Sequence, residues 1–501
     1  MNELRLTRAG DRGVFVELGA VSVEELHAAA GAVRRVAHSR GWIVGYSSLL
    51  GTFEARATTY ESFATAVRDA LRRPGQARLR ESRTHSIPVS FSDADAPDLR
   101  LLLEQARLTP DEFLETIEGL SMRARFLGFL RGFAYLEGIP ASWRLPRRPT
   151  SRARVPAGSF AIAGAMAGFY SADSPGGWNL IGRTAMPLWD TTRDRPNVIA
   201  AGDEIRIRAT CPVAEAPRTP VREHASTSAA VATVRAAGQL ALVVAARDES
   251  RCEWGLPPGG PFDAEGAVAA NLAVGNSENE ALLECAMVGP TLEVHDGAVL
   301  SWFGAEVSIR VGTRPVAEPR LFEAAAGEIV EVGRLRNGLR GLLALRGGVA
   351  DPAGRFAVAP HALKTGDELH RGSGPSAERG RLRSLQRDDR RLLRALGGPH
   401  PAEESLIEWI EISAWTVSPS IDRTGIRLCG DGRHPLIPAE SLSCGMQCGT
   451  VQCHPNGDLV VMGPDHPVTG GYLQPITVVS GDLWKLGQLV PGDQVRWKVL
   501  K

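Results

Sequence analysis

Four arginines fall within eight residues of one stretch: Arg147, Arg148, Arg152 and Arg154 in "PRRPTSRARVPAGSFAIAGAMAGFYSADSPGGWNLIGRT" (146–184). The same stretch offers backbone N–H groups at Gly158-Ser159 and Gly176-Gly177, and it ends on a lone Arg183. Guanidinium forks match carboxylate and phosphate geometry, and glycines let backbone N–H groups approach an anion closely. The chemistry on offer is anion binding; the other reading is that the glycines are barrel corners where a side chain would clash. A second glycine-aromatic turn, "VTGGY" (468–472), repeats the pattern of "SPGGW". In "VSPSIDRTGIRL" (417–428), Asp422 and Arg423 sit in a turn between strands and are read as an ion pair. Cys444, Cys448, Cys453 and His454 do not match the two compact ligand pairs of common zinc sites and are read as small buried thiols, with no metal. The sequence has no G-x-x-x-x-G-K-[ST] loop and no G-x-S-x-G elbow.

The elements that must position these groups change along the chain. "VFVEL" and "IVGYSSLL" read as strands; Ser22 with Glu25 forms a capping box, and Thr58 with Glu61 opens a second helix. This implies a small α/β domain over 1–80. Thr109-Pro110-Asp111-Glu112 starts a third helix. From Phe126 to about Thr210, short apolar runs alternate with glycine and proline, as in an all-β barrel or sandwich. The stretch 213–230 reads as a linker, with β texture resuming from Val231 to Lys501. The arginine-rich run 371–404 reads as a solvated insertion with a short helix, or as a phosphate-binding strip. Gly-Asp precedes an alternating strand three times, at Gly202-Asp203, Gly366-Asp367 and Gly492-Asp493, so each copy is expected to close a β-module.

The chain has 501 residues, 43% hydrophobic and 23% charged, with equal numbers of basic and acidic residues. That suits two to four domains and gives no global field for nucleic acid or an anionic membrane. No signal peptide or membrane span is read, and seven scattered cysteines suit a reducing compartment, so a cytoplasmic protein is expected.

"FLGFLRGFAYLEGIP" (126–140), "VPAGSFAIAG" and "SPGGWNLIGRT" resemble the allophanate-hydrolase subunit 1 family. "GPFDAEGAVAANLAVGNSENEALLECAMVGPTLEV" (260–294), "LLALRGGV", "VSPSIDRTGIRL" and "VTGGYLQPITVVSGDLWKLGQLVPGD" resemble subunit 2. The resemblance implies the fused B and C components of a 5-oxoprolinase, mainly β, with tandem cyclophilin-like barrels: one over 81–212 and two over 231–501. It implies ATP-dependent opening of 5-oxoproline to glutamate with a separate A-type component, ATP arriving with magnesium. Arg183, Asp422 and Arg423 would be catalytic. Arg147, Arg148, Ser159, Ser174, Gly176, Gly177, Trp178, Gln452, Thr469, Gly470, Gly471 and Tyr472 would bind substrate or nucleotide. Relatives include carboxybiotin-using carboxyltransferases and a kinase inhibitor; no biotin-carrier tetrapeptide occurs in this chain, so a carrier would come from elsewhere. A small amide or carboxylate is the implied substrate, and a homo-oligomer is left open.

The chain departs from the family patterns. Ile117 stands where a histidine is usual and Arg131 where proline is. Val244 and Ala245 replace Gln-Asp, Asp248 an arginine and Gly259 a serine, and "ADPAGRFAVAP" (350–360) replaces a Ser/Arg-rich segment. Loss of several polar groups from one site favours a second reading, a binding or regulatory protein on the same scaffold.

Overall fold

The computed structural model describes residues 4–72, 82–212, 229–351, 360–372, 374, 377, 380–438 and 441–500. Most of the expected linker (213–228) and of the segment after "LLALRGGV" (352–359) lies outside the described residues.

The N-terminal unit is a four-stranded antiparallel sheet in which β1 (Arg5–Ala9), β2 (Gly13–Glu17), β3 (Ser39–Val44) and β4 (Ser48–Phe53) lie in the order β1-β2-β4-β3. Helices α1 (Val23–Val33), with its Ser22–Glu25 capping box, and α2 (Tyr60–Arg72) cover one face through Leu26, Val33, Phe63 and Val67. The other face, through Phe15, Ile43 and Leu50, packs on Cys252, Cys444 and Val468 from the second half of the chain. Burial on both faces explains why β2 and β4 read as continuous apolar runs.

The first barrel uses β5 (Thr84–Ser90), β6 (Met122–Leu127), β7 (Ala134–Glu137), β9 (Ser159–Ala163), β10 (Met166–Phe169), β12 (Asn179–Arg183) and β13 (Glu204–Thr210). They close in the circuit β5-β12-β9-β10-β7-β6-β13, and β13 returns to β5 as a parallel pair. β8 (Arg152–Val155) and β11 (Ser174–Gly176) form a separate ribbon at its mouth. Helices α3 (Leu99–Ala106) and α4 (Pro110–Gly119) lie between β5 and β6. Phe113 and Ile117 of α4 join the barrel core, so Ile117 is a packing residue here.

After the gap comes a ten-stranded sheet: β14 (Ala230–Ala236), β15 (Leu240–Val244), β16 (Leu282–Ala286), β17 (Thr291–Val294), β18 (Ala298–Val311), β19 (Arg314–Pro315), β20 (Phe322–Ala324), β21 (Ile329–Leu345), β22 (His361–Ala362) and β23 (Glu368–His370). Where two barrels were expected over 231–501, the hydrogen-bonded path gives this sheet and one closed barrel. The long β18 and β21 pair with each other over most of their length and branch the sheet instead of closing a simple circuit. Helix α5 (Ala264–Ala273) packs on it, its N-terminus capped by Asp263.

The second barrel comprises β24 (Leu392–Gly397), β25 (Trp415–Ile421), β26 (Gly425–Cys429), β28 (Thr450–Cys453), β29 (Leu459–Met462), β31 (Leu473–Val478) and β32 (Gln494–Val499), with α6 (Glu404–Ile412) between β24 and β25. The ribbon β27 (Cys444–Gly445) and β30 (Thr469–Gly470) stands beside it, and α7 (Leu483–Leu486) precedes β32. Among its described residues the arginine-rich run 371–403 forms no helix, so the expected short helix is not found there. Residues 380–389 carry no helix or strand, and Leu392–Gly397 is a barrel strand whose Leu393 and Ala395 alternate into the core.

All three Gly-Asp turns have one geometry. The aspartate carboxylate accepts from the N–H three residues earlier: Ala200 (3.0 Å), Lys364 (2.8 Å) and Val490 (3.1 Å). The aspartate N–H donates back to the same residue's carbonyl at 3.1, 3.1 and 3.0 Å.

Candidate functional site

At the mouth of the first barrel the arginines are already matched. Asp98 Oδ1 accepts from Arg148 Nη1 (3.0 Å) and Arg152 Nη2 (2.9 Å), while Oδ2 accepts from the Leu180 N–H (2.7 Å). Arg154 pairs with Asp173 (2.8 Å). Arg183, at the end of β12, donates Nε–H to the Ala157 carbonyl (3.1 Å) and lies 4.0 Å from Asp95. Ser159 donates to the Pro156 carbonyl (2.7 Å), a structural bond. The Ser174 hydroxyl is buried with no hydrogen-bond partner among the described residues. Gly176 is required by packing: a Cβ there would stand 2.3 Å from the Tyr170 hydroxyl. Gly177 accepts at its carbonyl from the Arg148 N–H (2.8 Å). Trp178 is a wall residue, edge-on to Phe133 (5.5 Å) and Tyr135 (5.7 Å).

The fold brings the second glycine-aromatic turn against this mouth. Tyr135, its phenol pKa raised by burial, faces Thr469 and Ser443 of the second half. A Cβ on Gly128 would lie 2.1 Å from Thr469 Oγ1, and one on Gly471 would lie 3.9 Å from Arg147 Nη2. Beneath Gly470, Gln452 Nε2 donates to Met446 Sδ at 3.1 Å. Tyr472 stacks on His454 (4.2 Å, 30°), whose pKa burial lowers to about 4. Arg147, Trp178, Thr469, Gly470 and Gly471 thus converge at one seam between the barrels, whereas Ser159 and Arg183 sit on the first barrel's own strands.

Asp422 and Arg423 do not pair with each other. Asp422 is exposed, and its Oδ1 accepts from the Thr424 (2.7 Å) and Gly425 (3.0 Å) N–H groups, closing the hairpin turn. Arg423 turns inward and is 8% exposed. It bonds Glu284 (2.6 Å), Asp465 (2.7 and 3.0 Å) and the Gly260 carbonyl (2.7 Å). Burial opposes its charge, and the Glu284 and Asp465 carboxylates more than offset that, raising its pKa. Arg340 completes the cluster, 3.8 Å from Glu284 and stacked over Phe262 (4.3 Å). This arrangement joins the sheet to the second barrel. Glu284 was missed in the sequence, although a charged residue inside the apolar strand "LLECA" is its signal.

Cys444 and Cys453 are buried thiols with pKa pushed up to about 12 by burial, so neither is a ready nucleophile. His400 accepts from the Gln474 N–H at Nδ1 (3.0 Å). That places its proton on Nε2, 3.7 Å from Cys444 Sγ, and excludes this nitrogen as base for the thiol. Val244 and Ala245 line a cavity of about 510 Å³ between the N-terminal unit, the sheet and α7. Asp248 caps the following 3₁₀ turn by accepting from the Ser250 N–H (3.0 Å).

Residues 4–199 match the family model "Carboxyltransferase domain, subdomain C and D", and residues 254–499 match "Carboxyltransferase domain, subdomain A and B". The B-type 5-oxoprolinase subunit of Escherichia coli O157:H7 is 40% identical over 126 residues, 25% of this chain and 58% of that protein. The C-type 5-oxoprolinase subunit of Haemophilus influenzae is 25% identical over 268 residues, 49% of this chain and 84% of that protein. A putative urea carboxylase of Emericella nidulans is 30% identical over 48% of this chain and 22% of its own length. The chain thus spans less than two thirds of the B-type 5-oxoprolinase and urea carboxylase relatives. The crystal structure of TTHA0988 superposes with a TM-score of 0.85 at 27% identity, covering 97% of this chain and 99% of that one. With both models matched in tandem and the same architecture along its length, the chain belongs to the carboxyltransferase-domain family, its first half like the B-type 5-oxoprolinase component and its second half like the C-type.

Proposed function

We propose that this chain is the fused B/C component of an ATP-dependent 5-oxoprolinase, opening the lactam of 5-oxoproline to glutamate together with a separate A-type component. The observation that carries this reading is the seam at which Tyr135 and Arg147 of the B-like half meet Ser443, Thr469 and Gly471 of the C-like half. A seam built from both halves gives the fusion a chemical purpose. Water adds across the ring C–N bond, giving an amine and a second carboxylate. In this reading Arg147 would hold an anionic group of the substrate at the seam, as an arginine clamp does.

The donor set suits a carboxylate better than a triphosphate. Arg148 and Arg152 share Asp98, and Arg423 is consumed by Glu284 and Asp465. ATP and its magnesium are therefore left to the assembled complex, and no step is routed through them. The test is glutamate release from 5-oxoproline and ATP by the purified chain mixed with its cognate A-type component. Release that falls more than tenfold in Arg147→Gln supports the reading, and no turnover with any cognate partner removes it.

A second reading, a binding protein without turnover, draws on Val244 and Ala245 in the cavity wall and on the matched arginines. It predicts ligand binding with no ATP consumption in the complex. A carboxyltransferase served by an external biotin carrier ranks third, and carboxyl transfer from supplied carboxybiotin would establish it.

A further inference from the structure

Where the N-terminal sheet meets the second half of the chain there is a small space lined by Thr52, Glu249, Cys252, Gln447, Cys448 and His466. Its volume is about 10 Å³, room for one water molecule and nothing larger.

Two of these side chains are fully committed on one side and unpaired on the other. His466 is 0% exposed and Gln447 is 3% exposed. His466 Nδ1 lies 2.8 Å from the Pro467 carbonyl, so Nδ1 carries the proton and Nε2 is an acceptor. Gln447 Nε2 donates to the Ala9 carbonyl (2.6 Å), which fixes the amide and makes Oε1 an acceptor too. Turning either group over would set an acceptor against a carbonyl, so neither can relieve the other. Among the described residues no donor reaches His466 Nε2 or Gln447 Oε1. Buried acceptors are rarely left in that state.

The remaining polar groups around the space supply no donor beyond a thiol. Glu249 accepts from Arg12 (3.3 Å) and from the Thr52 hydroxyl, which is thereby spent. Burial raises the pKa of Cys252, so it stays a protonated thiol and a weak donor. Two thiols, an imidazole and a carboxylate would suit a metal by type. Among the described residues, however, no three such groups are placed to hold one.

We propose that a single water molecule is bound here as part of the fold, donating one hydrogen to His466 Nε2 and the other to Gln447 Oε1, with its lone pairs toward the thiols. Two acceptors in a space of this size call for a small double donor. An ammonium ion would also fit by size, but Arg247 and Arg12 already bear on His466 with positive charge, against the one carboxylate of Glu249. The water ties the two halves together: Gln447 holds β1 through Ala9, and His466 leads into β30, the strand that carries Thr469 to the seam. The site is independent of the reaction proposed above.

The test is a crystal structure of the full chain in which ordered water is visible, together with ¹⁵N NMR of its histidines. A peak should lie about 2.7–3.2 Å from both His466 Nε2 and Gln447 Oε1. The His466 Nε2 resonance, identified by its loss in His466→Asn, should fall where a hydrogen-bonded acceptor nitrogen falls. In Gln447→Leu the peak should disappear and the resonance should move toward that of an unpaired nitrogen. The wild-type measurements decide the matter even if that variant does not fold. Unfolding midpoints in ammonium chloride and sodium chloride of equal ionic strength should agree. No peak with both side chains placed as here, a protein donor on either atom, an unpaired Nε2 resonance, or a higher midpoint in ammonium chloride would each overturn the proposal.

Discussion

Around both barrels the strands follow one circuit. Read from β5, the first runs β5-β12-β9-β10-β7-β6-β13; read from β24, the second runs β24-β31-β28-β29-β26-β25-β32. Each has one parallel pair, between its first and last strands, and each closes through a Gly-Asp turn. Each carries a two-stranded ribbon that holds a glycine-aromatic turn, and a helix between its first two strands. The connections diverge. The first barrel's β6–β7 loop bears Phe129 and Gly132 at φ 63° and 69° and approaches Thr469 of the second barrel through Gly128. The second barrel's β25–β26 loop is a tight turn that drives Arg423 into the sheet. The wiring repeats because it is fixed by backbone pairing and a turn, whereas the connections carry what differs between the halves.

The largest break in that comparison should come at the two loops. Arg423→Leu strands Glu284 and Asp465 in a buried interface and should cost about 3–5 kcal/mol. Arg423→Leu combined with Glu284→Leu should recover part of that loss, because the pair is then removed together. Arg131→Leu, in the first barrel's loop, should cost under about 1 kcal/mol, since burial lowers its pKa and release from that site carries little penalty. Urea unfolding midpoints decide it, and equal losses at 423 and 131 would show that the two loops do the same job.

How much of this was readable in the chain follows from the range of each interaction. The capping boxes at Ser22–Glu25 and Thr109–Glu112 are local and formed as their sequences require. The Gly-Asp turns are also local, so three copies could be matched by eye. Arg423 could not be read, because its partner Glu284 is 139 residues away and its neighbour Asp422 looked nearer. In fact the Asp422 carboxylate is used up by its own turn. Leu392–Gly397 falls in the arginine-rich run expected to be a solvated insertion with a short helix or a phosphate-binding strip. Only its partners β31 and β32 make it a strand. The recurrence of the glycine-aromatic turns was visible, but their convergence with Tyr135 and Arg147 depends on how the barrels pack.

The connections before the two ribbons should separate the barrels by pH. The first holds Tyr170, whose pKa burial raises to about 12; the second holds His466, whose pKa burial lowers to about 4 from 6.5. The lowered base binds fewer protons in the native state than in the unfolded chain between those values. Its stabilising contribution is full above pH 6.5 and lost as pH falls toward 4, on the order of 3 kcal/mol. Tyr170 contributes no slope in that window. His466→Asn, which can keep the bond to the Pro467 carbonyl (2.8 Å), should flatten the dependence of unfolding midpoint on pH between 7 and 4.5. An unchanged slope would remove His466 as its source.

The glycines of the two turns test how tightly each ribbon is packed. An alanine methyl at Gly176 would meet the Tyr170 hydroxyl at 2.3 Å and its ring at 2.8 Å, and that ring is wedged edge-on between Phe129 and Phe133. At Gly470 the methyl would meet Gln452 Nε2 at 2.3 Å and Met446 Sδ at 2.8 Å, both on flexible side chains. Gly176→Ala should cost about 2–3 kcal/mol and Gly470→Ala about 1 kcal/mol. The reverse order in thermal unfolding would mean that the second barrel's ribbon is the more rigid.

The smallest effects should rank the shared closing turn itself. Both oxygens of Asp203 are held by backbone N–H groups, Arg83 (3.0 Å) and Ala200 (3.0 Å), with His85 adding a bond at 2.9 Å, and the side chain is 1% exposed. An amide there must turn its NH₂ toward a donor whichever way it flips, so Asp203→Asn should cost about 1–2 kcal/mol. Asp493 is as buried, but only Val490 binds it from the backbone; its other partners, Arg390 and Arg391, are 22% and 51% exposed and can turn to water. Asp493→Asn should cost about 0.5–1 kcal/mol. Asp367, 29% exposed, has Lys364 and a longer contact to His361 (3.3 Å), and Asp367→Asn should fall below about 0.5 kcal/mol. One motif with three different sets of partners then gives a graded series in unfolding midpoint. Equal losses at all three positions would mean that the turn's own geometry sets its worth and that its surroundings add nothing.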